Sequence, residues 1–241
     1  ENRYYNFRGL NLSFETLDGL IKHNGPVKNL KMINKILGDN FFKKKIKFSL
    51  NSSLEAQFAS ISDDIAYNSH DLEDGLKSNL FKLIDLQNIP VLDKIIKKHI
   101  KKTNKYSIDL IIRQIIREII NEMVSDVIST TRNNININKI KNLNDIYKTK
   151  FQLVTFSDKM KKFDAKIKKF LKQKMYFHKK VNLKTKYGGR VITKLFTSIK
   201  KNPKKYIDIK KYDNLNLERI ICDYIAGMTD RYAINLYNQI K

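Results

Sequence analysis

An acidic segment between residues 53 and 76 holds the side chains best suited to chemistry. The chain has 48 basic and 24 acidic residues, and six of the acids lie in this segment: Glu55, Asp63, Asp64, Asp71, Glu73 and Asp74. Asp63, Tyr67 and Asp71 follow at four-residue steps, so a helix would place them along one face. Carboxylates suit a hard divalent cation such as Mg²⁺ or Mn²⁺, and a tyrosine offers a ring and a hydroxyl to a sugar.

The same pattern has a structural interpretation. An acidic helix can interact with its own dipole and with nearby lysines, and spacing alone favours this alternative. The dipeptide His70-Asp71 could be taken for a metal-ligating pair, with His23 as a partner. We interpret it otherwise, because Leu72-Glu73-Asp74 follows it in place of small residues and histidine.

The elements that would position these residues are helical nearly throughout. The chain has three prolines, and each falls between segments of apolar periodicity. Ser13 and Ser53 have the position of helix N-caps, the second before apolar residues that continue to Leu76. Alternating patterns are scarce, and residues 43–50 form a short strand at most. The sequence therefore predicts an all-α fold.

A long amphipathic helix is predicted over residues 107–132. Its expected buried side comprises Ile108, Ile111, Ile112, Ile115, Ile119, Met123 and Ile128. Further helices are predicted near 158–175, 187–201 and 215–239, and residues 133–144 are predicted to form a surface loop. His99 is expected to be solvated in a lysine-rich run, and Cys222 to be buried beside Ile220 and Ile221.

The positive charge is unevenly distributed. Residues 1–90 carry 12 basic and 11 acidic residues, whereas residues 159–211 carry 20 lysines and arginines against two acids. Such a field attracts phosphate-bearing ligands, including nucleotides and single-stranded nucleic acid. Lysine outnumbers arginine 40 to 8, which also fits AT-rich codon drift on solvated faces. Both interpretations stay open at this point.

Four stretches of the chain resemble, in order, the bacterial deoxynucleoside triphosphate (dNTP) triphosphohydrolases of the HD-domain family. The first stretch is Gly9-Leu10-Asn11-Leu12-Ser13 with its continuation from Leu17 to Pro26. The second runs from Ala59 to Gly75 and includes Asp63-Asp64-Ile65-Ala66-Tyr67. The others are Phe170-Leu171 with Lys174 to His178, and Asp223-Tyr224-Ile225-Ala226-Gly227-Met228-Thr229-Asp230-Arg231-Tyr232-Ala233. The resemblance spans essentially the whole chain.

The resemblance implies an HD-domain-like helical bundle that hydrolyses a dNTP to a deoxynucleoside and triphosphate, with a divalent metal, Mg²⁺ or Mn²⁺, as cofactor. By motif match, Asp63 would be a metal ligand, Tyr67 and Asp71 would lie against the substrate, and Tyr67 or Tyr224 would exclude a ribose hydroxyl. Residues 1–90 would belong to the catalytic core, and residues 91–241 would form a basic helical region packed on it. Members of the family are oligomeric, so a homo-oligomer is expected.

The family's first histidine, its H-D-L-G-H-like stretch and its F-E-G-N-A-Q-like helix are not found in these 241 residues. No catalytic residue is therefore assigned, and we expect a C-terminal portion that is inactive alone. The alternatives are a non-catalytic binding module, in which residues 159–211 hold nucleic acid or a nucleotide, and a remnant without function. No membrane-spanning segment or signal peptide is predicted, so a cytoplasmic location is expected.

Overall fold

The computed structural model describes residues 4–7, 9–37, 45–208 and 216–240. Among these residues there are ten α-helices and no strand, which confirms the all-α prediction. The helices are α1 (Phe14–Lys22), α2 (Leu30–Leu37), α3 (Leu54–Lys77), α4 (Pro90–Ile100), α5 (Ile108–Ile137), α6 (Leu143–Lys148), α7 (Asp158–Leu171), α8 (Lys179–Lys201), α9 (Leu217–Ala226) and α10 (Asp230–Gln239).

Two compact units make up the chain, and the first of them ends at Lys172. Its centre is formed by α3 and α5, which pack against each other, while α1 and α7 pack on α3 and α4 packs on α5. The boundary predicted at residue 90 concerned the extent of a catalytic core and stays a prediction. Residues on both sides of it contribute to the first unit.

The N-terminal caps of α1 and α3 are those that the sequence predicts. The Ser13 hydroxyl accepts a hydrogen bond from the Thr16 backbone N–H at 3.2 Å, and Ser53 accepts one from Ala56 at 3.4 Å. Each serine satisfies a backbone donor that would otherwise have no partner in the first helical turn. These caps fix where the two helices begin.

The buried side of α5 follows steps of three and four residues for most of its length. Ile111, Ile115, Ile119 and Met123 are buried as predicted, but Ile108 and Ile128 are 51% and 40% exposed. The prediction for Ile128 was wrong because a four-residue step from Met123 reaches Val127, which is buried instead.

The predicted loop over residues 133–144 is shorter in the structure, because α5 continues to Ile137 and α6 begins at Leu143. Asparagine has a low helix propensity, yet Asn134 is retained in the helix by a tertiary contact. Its side-chain Nδ2 donates to the Leu153 carbonyl at 2.9 Å. A contact nineteen residues away therefore overrides the local preference.

The second unit begins at Gln173 and consists of α8 with α9 and α10 packed on it. Its core contains Val191, Leu195, Ile199, Ile207, Ile220, Ile221 and Leu236. The helix predicted over 215–239 is two helices, since α9 ends at Ala226 and Thr229 caps α10. Cys222, predicted to be buried, is exposed.

Two smaller predictions can be compared with the described residues. Residues 45–50 contain no strand, and positions 43–44 of the predicted strand lie outside the described residues. None of the helices in the described part of the chain combines the length and the apolar character that a membrane span needs.

Candidate functional site

A cavity of about 830 Å³ lies between α1 and the N-terminal half of α3 in the first unit. We call it the α1–α3 cavity. It is lined by Glu15, Thr16, Gly19, Leu20, His23, Asn24, Ser53, Glu55, Ala56, Ala59, Ser60, Asp63, Asp64, Leu143 and Tyr147. Two of the stretches that carry the family resemblance, one ending at Pro26 and one beginning at Ala59, therefore contribute to a single cavity.

The lining of the α1–α3 cavity is acidic. It includes Glu15, Glu55, Asp63 and Asp64, and none of its described lining residues is lysine or arginine. Carboxylates gathered in a concave surface raise the local concentration of cations. The backbone N–H of Glu55 and the hydroxyl of Ser53 hydrogen-bond the Glu55 carboxylate and lower its pKa, which favours the charged form.

A buried ion pair lies next to Tyr147, one of the residues that line the cavity. Lys22 is 2% exposed, and its Nζ lies 2.8 Å from Asp18 Oδ1 and donates to the Asn51 carbonyl at 3.0 Å. The ammonium also lies 5.3 Å from the centre of the Tyr147 ring. Desolvation, followed by the nearby carboxylates led by Asp18, raises the pKa of Tyr147, so the phenol stays protonated.

His23 lies at the C-terminal end of α1. Its Nδ1 is 2.7 Å from the Leu20 carbonyl and its Nε2 is 2.8 Å from the Asn24 side-chain amide. The structure also places His23 in the cavity lining.

Asp63 is exposed and lines the α1–α3 cavity, whereas Tyr67 and Asp71 lie one and two turns further along α3, outside the lining. The Tyr67 side chain is 58% exposed, and Asp71 is partly buried. His70 is exposed, with its Nδ1 4.0 Å from a Glu73 carboxylate oxygen. The roles proposed for Tyr67 and Asp71 stay predictions.

Tyr224 belongs to the second unit. Its hydroxyl lies 3.5 Å from that of Tyr232, and this hydrogen bond, followed by desolvation, raises the pKa of Tyr224 to about 12. The tyrosine therefore stays neutral at physiological pH and connects α9 with α10. Its predicted role beside a sugar stays a prediction.

The oxygen donors of Asp63 and Asp64 suit a hard divalent cation. In the described parts of the chain, no group of three or more His, Cys, Asp or Glu side chains is arranged to hold a metal ion. The carboxylates at this cavity therefore fit part of a divalent cation's ligand set.

A polar cluster joins α3 to α7 beside the cavity. Lys168 Nζ lies 3.2 Å from Asp64 Oδ1 and 3.0 Å from Asp164 Oδ2, and Asn68 Nδ2 donates to Asp164 Oδ1 at 2.7 Å. Desolvation raises the pKa of Asp164, against the opposing effect of Lys168. Sequence reasoning missed this cluster, because Lys168 is one of many lysines in its region and nothing local distinguishes it.

His99 is buried, so the prediction of a solvated position was wrong. It was expected in a solvated run, but it is 8% exposed, and its Nε2 lies 2.6 Å from Glu118 Oε2. The run of lysines around it is amphipathic, so one residue of the run turns into the interface between α4 and α5. Lys98 contacts the other oxygen of Glu118 at 2.8 Å.

The basic region also has a concave surface, which lies in the second unit. A groove of about 830 Å³ is lined by Leu183, Lys186, Gly189, Arg190, Thr193, Lys194, Thr197 and Tyr237. We call it the α8 groove. The Tyr187 ring packs edge-on against Tyr237 at 6.2 Å, and the Arg190 guanidinium lies 5.9 Å from the Tyr187 ring centre.

Residues 154–239 match the family described as the phosphohydrolase-associated domain. This range includes α7 and the helices of the second unit, while α1 and α3 precede it. The described residues are helical without a strand, and the C-terminal part of the chain matches the phosphohydrolase-associated domain.

Whole-chain comparison gives relatives named deoxyguanosinetriphosphate triphosphohydrolase-like protein. That of Pelagibacter ubique is 48% identical over 236 residues, which are 98% of this chain and 63% of the relative. Those of Bartonella tribocorum and Caulobacter vibrioides are each 34% identical over the whole chain, which covers 62% and 63% of them. The chain is therefore similar to deoxyguanosinetriphosphate triphosphohydrolase-like proteins over nearly its whole length, and it spans less than two thirds of the length of these relatives.

Proposed function

We propose that this chain forms part of a metal-dependent dNTP triphosphohydrolase, which converts a dNTP and water to a deoxynucleoside and triphosphate. The observation that carries the proposal is that two separate motif-bearing segments, Gly19–Asn24 and Ala59–Asp64, line one cavity. The name of the relatives supports the same activity.

In this proposal the carboxylate of Asp63 supplies one oxygen ligand to Mg²⁺ or Mn²⁺. Such a cation, when bound, polarises a phosphoryl oxygen and activates water. The exposed ring of Tyr67 and the carboxylate of Asp71, further along the same helix, would contact the sugar. The chain alone is proposed to be inactive, because a single carboxylate binds these cations weakly.

The proposal can be tested with a chimera. The 236 matching residues of the Pelagibacter ubique relative are replaced by this chain, and release of triphosphate from each dNTP is measured with Mn²⁺ or Mg²⁺. We expect triphosphate release by the chimera and none by the isolated chain. A folded chimera that is inactive while the unaltered relative is active would contradict the proposal.

Asp63→Asn in the chimera is expected to lower the rate by about 100-fold or more, because replacing even the partners of metal ligands costs 10- to 100-fold. Asp74→Asn, which removes the same charge from an exposed position of α3, serves as the matched control. Equal rates for the two variants would mean that Asp63 is not a metal ligand.

A second candidate function is binding of single-stranded nucleic acid or another polyanion by the second unit. The α8 groove favours it, because Lys186, Arg190 and Lys194 share one side of α8 with two threonines. Tyr237 of α10 lines the same groove. Basic grooves with aromatic rings suit the backbone and bases of a single strand. The same composition fits a solvated helix face, so the test must use salt.

Binding of a fluorescent oligo(dT) is measured between about 50 and 200 mM salt. We expect log affinity to fall linearly with log salt, with a slope of about −0.7 for each phosphate that is neutralised. The triple variant Lys186→Gln, Arg190→Gln, Lys194→Gln should reduce the slope by about 2. Affinity that is independent of salt, or unchanged in the triple variant, would contradict a role for the α8 groove.

A further inference from the structure

One lysine of the phosphohydrolase-associated segment reaches the acidic cavity through Asp64. We propose that Lys168 is a positioning residue for the adjacent pair Asp63 and Asp64: it binds Asp64 and leaves Asp63 as the carboxylate available to a divalent cation. This inference rests on the proposed function and assigns a role in it to α7.

The inference rests on four side chains of α3 and α7 that are connected by three polar contacts. Asp64 and Asn68 are four residues apart on α3, and Asp164 and Lys168 are four residues apart on α7, so each pair shares a helix face. Contacts of 3.2, 3.0 and 2.7 Å connect Asp64 to Lys168, Lys168 to Asp164 and Asp164 to Asn68. Asn68 is 2% exposed, so burial fixes one corner of the set.

The Lys168 ammonium is held by two anions at once. Hydrogen bonds to Asp164 and Asp64 and their negative charges raise the pKa of Lys168 above its usual value, despite the opposing effect of desolvation. The lysine therefore stays charged at physiological pH. Asp164, four residues earlier on the same helix, holds the ammonium 3.2 Å from Asp64 Oδ1.

Pairing matters here because the cavity has to accept an anion. Four carboxylates line it, and a nucleoside triphosphate would be repelled by each of them. Neutralising Asp64 lowers this repulsion and withholds a second carboxylate from the cation. Without Lys168, a bare cation would gain a ligand, while the cation–triphosphate complex would meet one more uncompensated negative charge.

The test measures the affinities for two ligands, Mn²⁺ and Mn²⁺-dGTP, which substitution of Lys168 should change in opposite directions. Mn²⁺ binding to the 241-residue chain is followed by electron paramagnetic resonance, and binding of dGTP in the presence of Mn²⁺ by equilibrium dialysis. Lys168→Gln is expected to raise the affinity for Mn²⁺ about three- to tenfold and to lower that for Mn²⁺-dGTP about three- to tenfold. A loss of structural support would lower both affinities.

Lys169→Gln is the matched control, since it removes the same charge from the next, exposed position of α7. We expect it to change either affinity less than twofold, and Lys168→Arg to retain the behaviour of the parent chain. In an Asp64→Asn background, Lys168→Gln should have no further effect on Mn²⁺ binding. Three results would overturn the proposal. Lys168→Gln could change the two affinities no more than Lys169→Gln does, or it could lower both of them. It could also change the Mn²⁺ affinity as much in the Asp64→Asn background as in the parent chain.

A second variant keeps the outcome decisive if Lys168→Gln fails to fold. Asp64→Asn should lower the Mn²⁺ affinity less than Asp63→Asn does, because Asp64 is already paired; a larger loss for Asp64→Asn would also overturn the proposal. Failure of the proposed function is separate, since it would appear as Mn²⁺ binding that Asp63→Asn leaves unchanged.

Discussion

Helices α3 and α8 are nearly equal in length, 24 and 23 residues, but opposite in charge. The first has six acids and one lysine, and the second has eight lysines and arginines and no acid. Helices from several parts of the first unit pack on α3, and three carboxylates of α3 line a cavity. Most charges of α8 face solvent, and its buried residues begin only at Val191.

The difference shows that a count of charges does not define a site. What distinguishes the acids of α3 is that other elements come close to them, as α1 does at Asp63 and α7 does at Asp64. On α8, the few charged residues that line the groove with Tyr237 have another element close to their side chains. Substitutions that compare matched positions on the two helices can therefore test this contrast.

The largest expected effect contrasts a buried and an exposed leucine. Leu72 on α3 is fully buried, whereas Leu183 on α8 is 59% exposed. Leu72→Ala should lower the free energy of unfolding by about 2–5 kcal/mol, since it leaves a cavity in the core. Leu183→Ala should change it by less than about 0.5 kcal/mol. Urea unfolding followed by circular dichroism measures both, and similar losses would contradict the contrast.

A glycine on each helix gives the next effect, with opposite signs. A Cβ at Gly75 of α3 would overlap the Phe81 ring, which packs edge-on against Phe170. Gly75→Ala should therefore destabilise the protein by about 1–3 kcal/mol. A Cβ at Gly188 of α8 would meet no atom within 4 Å. Gly188→Ala should stabilise it by about 0.5–1 kcal/mol, because alanine is the better helix former.

The change in stability is measured as the shift of the denaturant concentration at the unfolding midpoint, provided that the dependence of the unfolding free energy on denaturant is unchanged. Stabilisation by Gly75→Ala would show that the Phe81 ring moves aside at little cost. Destabilisation by Gly188→Ala would show that α8 is covered at this position, contrary to its exposed surroundings.

The smallest effect concerns one lysine–glutamate pair in each unit. Lys98, followed by His99, holds the pKa of Glu118 below its ordinary value. A lowered folded-state pKa adds stability above pH 4.5, and this stability is lost as the pH falls through the folded-state value. Glu118→Gln should therefore cost up to about 1 kcal/mol at pH 7 and progressively less below pH 4.5.

The corresponding variant in the second unit is Glu218→Gln, which removes the exposed pair with Lys200. Lys200 lowers the pKa of Glu218, as Lys98 lowers that of Glu118, but solvent screens the exposed pair. We therefore expect a smaller change in the free energy of unfolding than for Glu118→Gln. Unfolding measured across pH 3–7 at low and high salt compares the two. A larger effect for Glu218→Gln would reverse the contrast between the units.

Local signals in the sequence predicted much of the fold. Ser13 and Ser53 are caps because their hydroxyls reach backbone donors three residues away, a distance that the sequence determines. The apolar steps of α5 likewise gave most of its buried side. The errors at Ile128 and over residues 133–144 arose where helix phase and tertiary contacts, such as that of Asn134, decide the outcome.

The candidate site was predictable only where residues belong to a motif. Asp63 was identified by resemblance, and the structure adds the cavity around it. Tyr147 and Lys168 could not be found from spacing, because they come from α6 and α7, far along the chain from the residues they approach. His99 was misassigned for the same reason, since its partner Glu118 lies on another helix.

The burial of Lys22 has a practical consequence in a chain with 40 lysines. An amine-acylating reagent applied to the folded protein would modify exposed lysines readily, whereas Lys22 is enclosed by Asp18 and the Asn51 carbonyl. Its modification would therefore report that the contacts with Asp18 and the Asn51 carbonyl have opened. A peptide map of the labelled protein could follow the opening of this ion pair during denaturation or ligand binding.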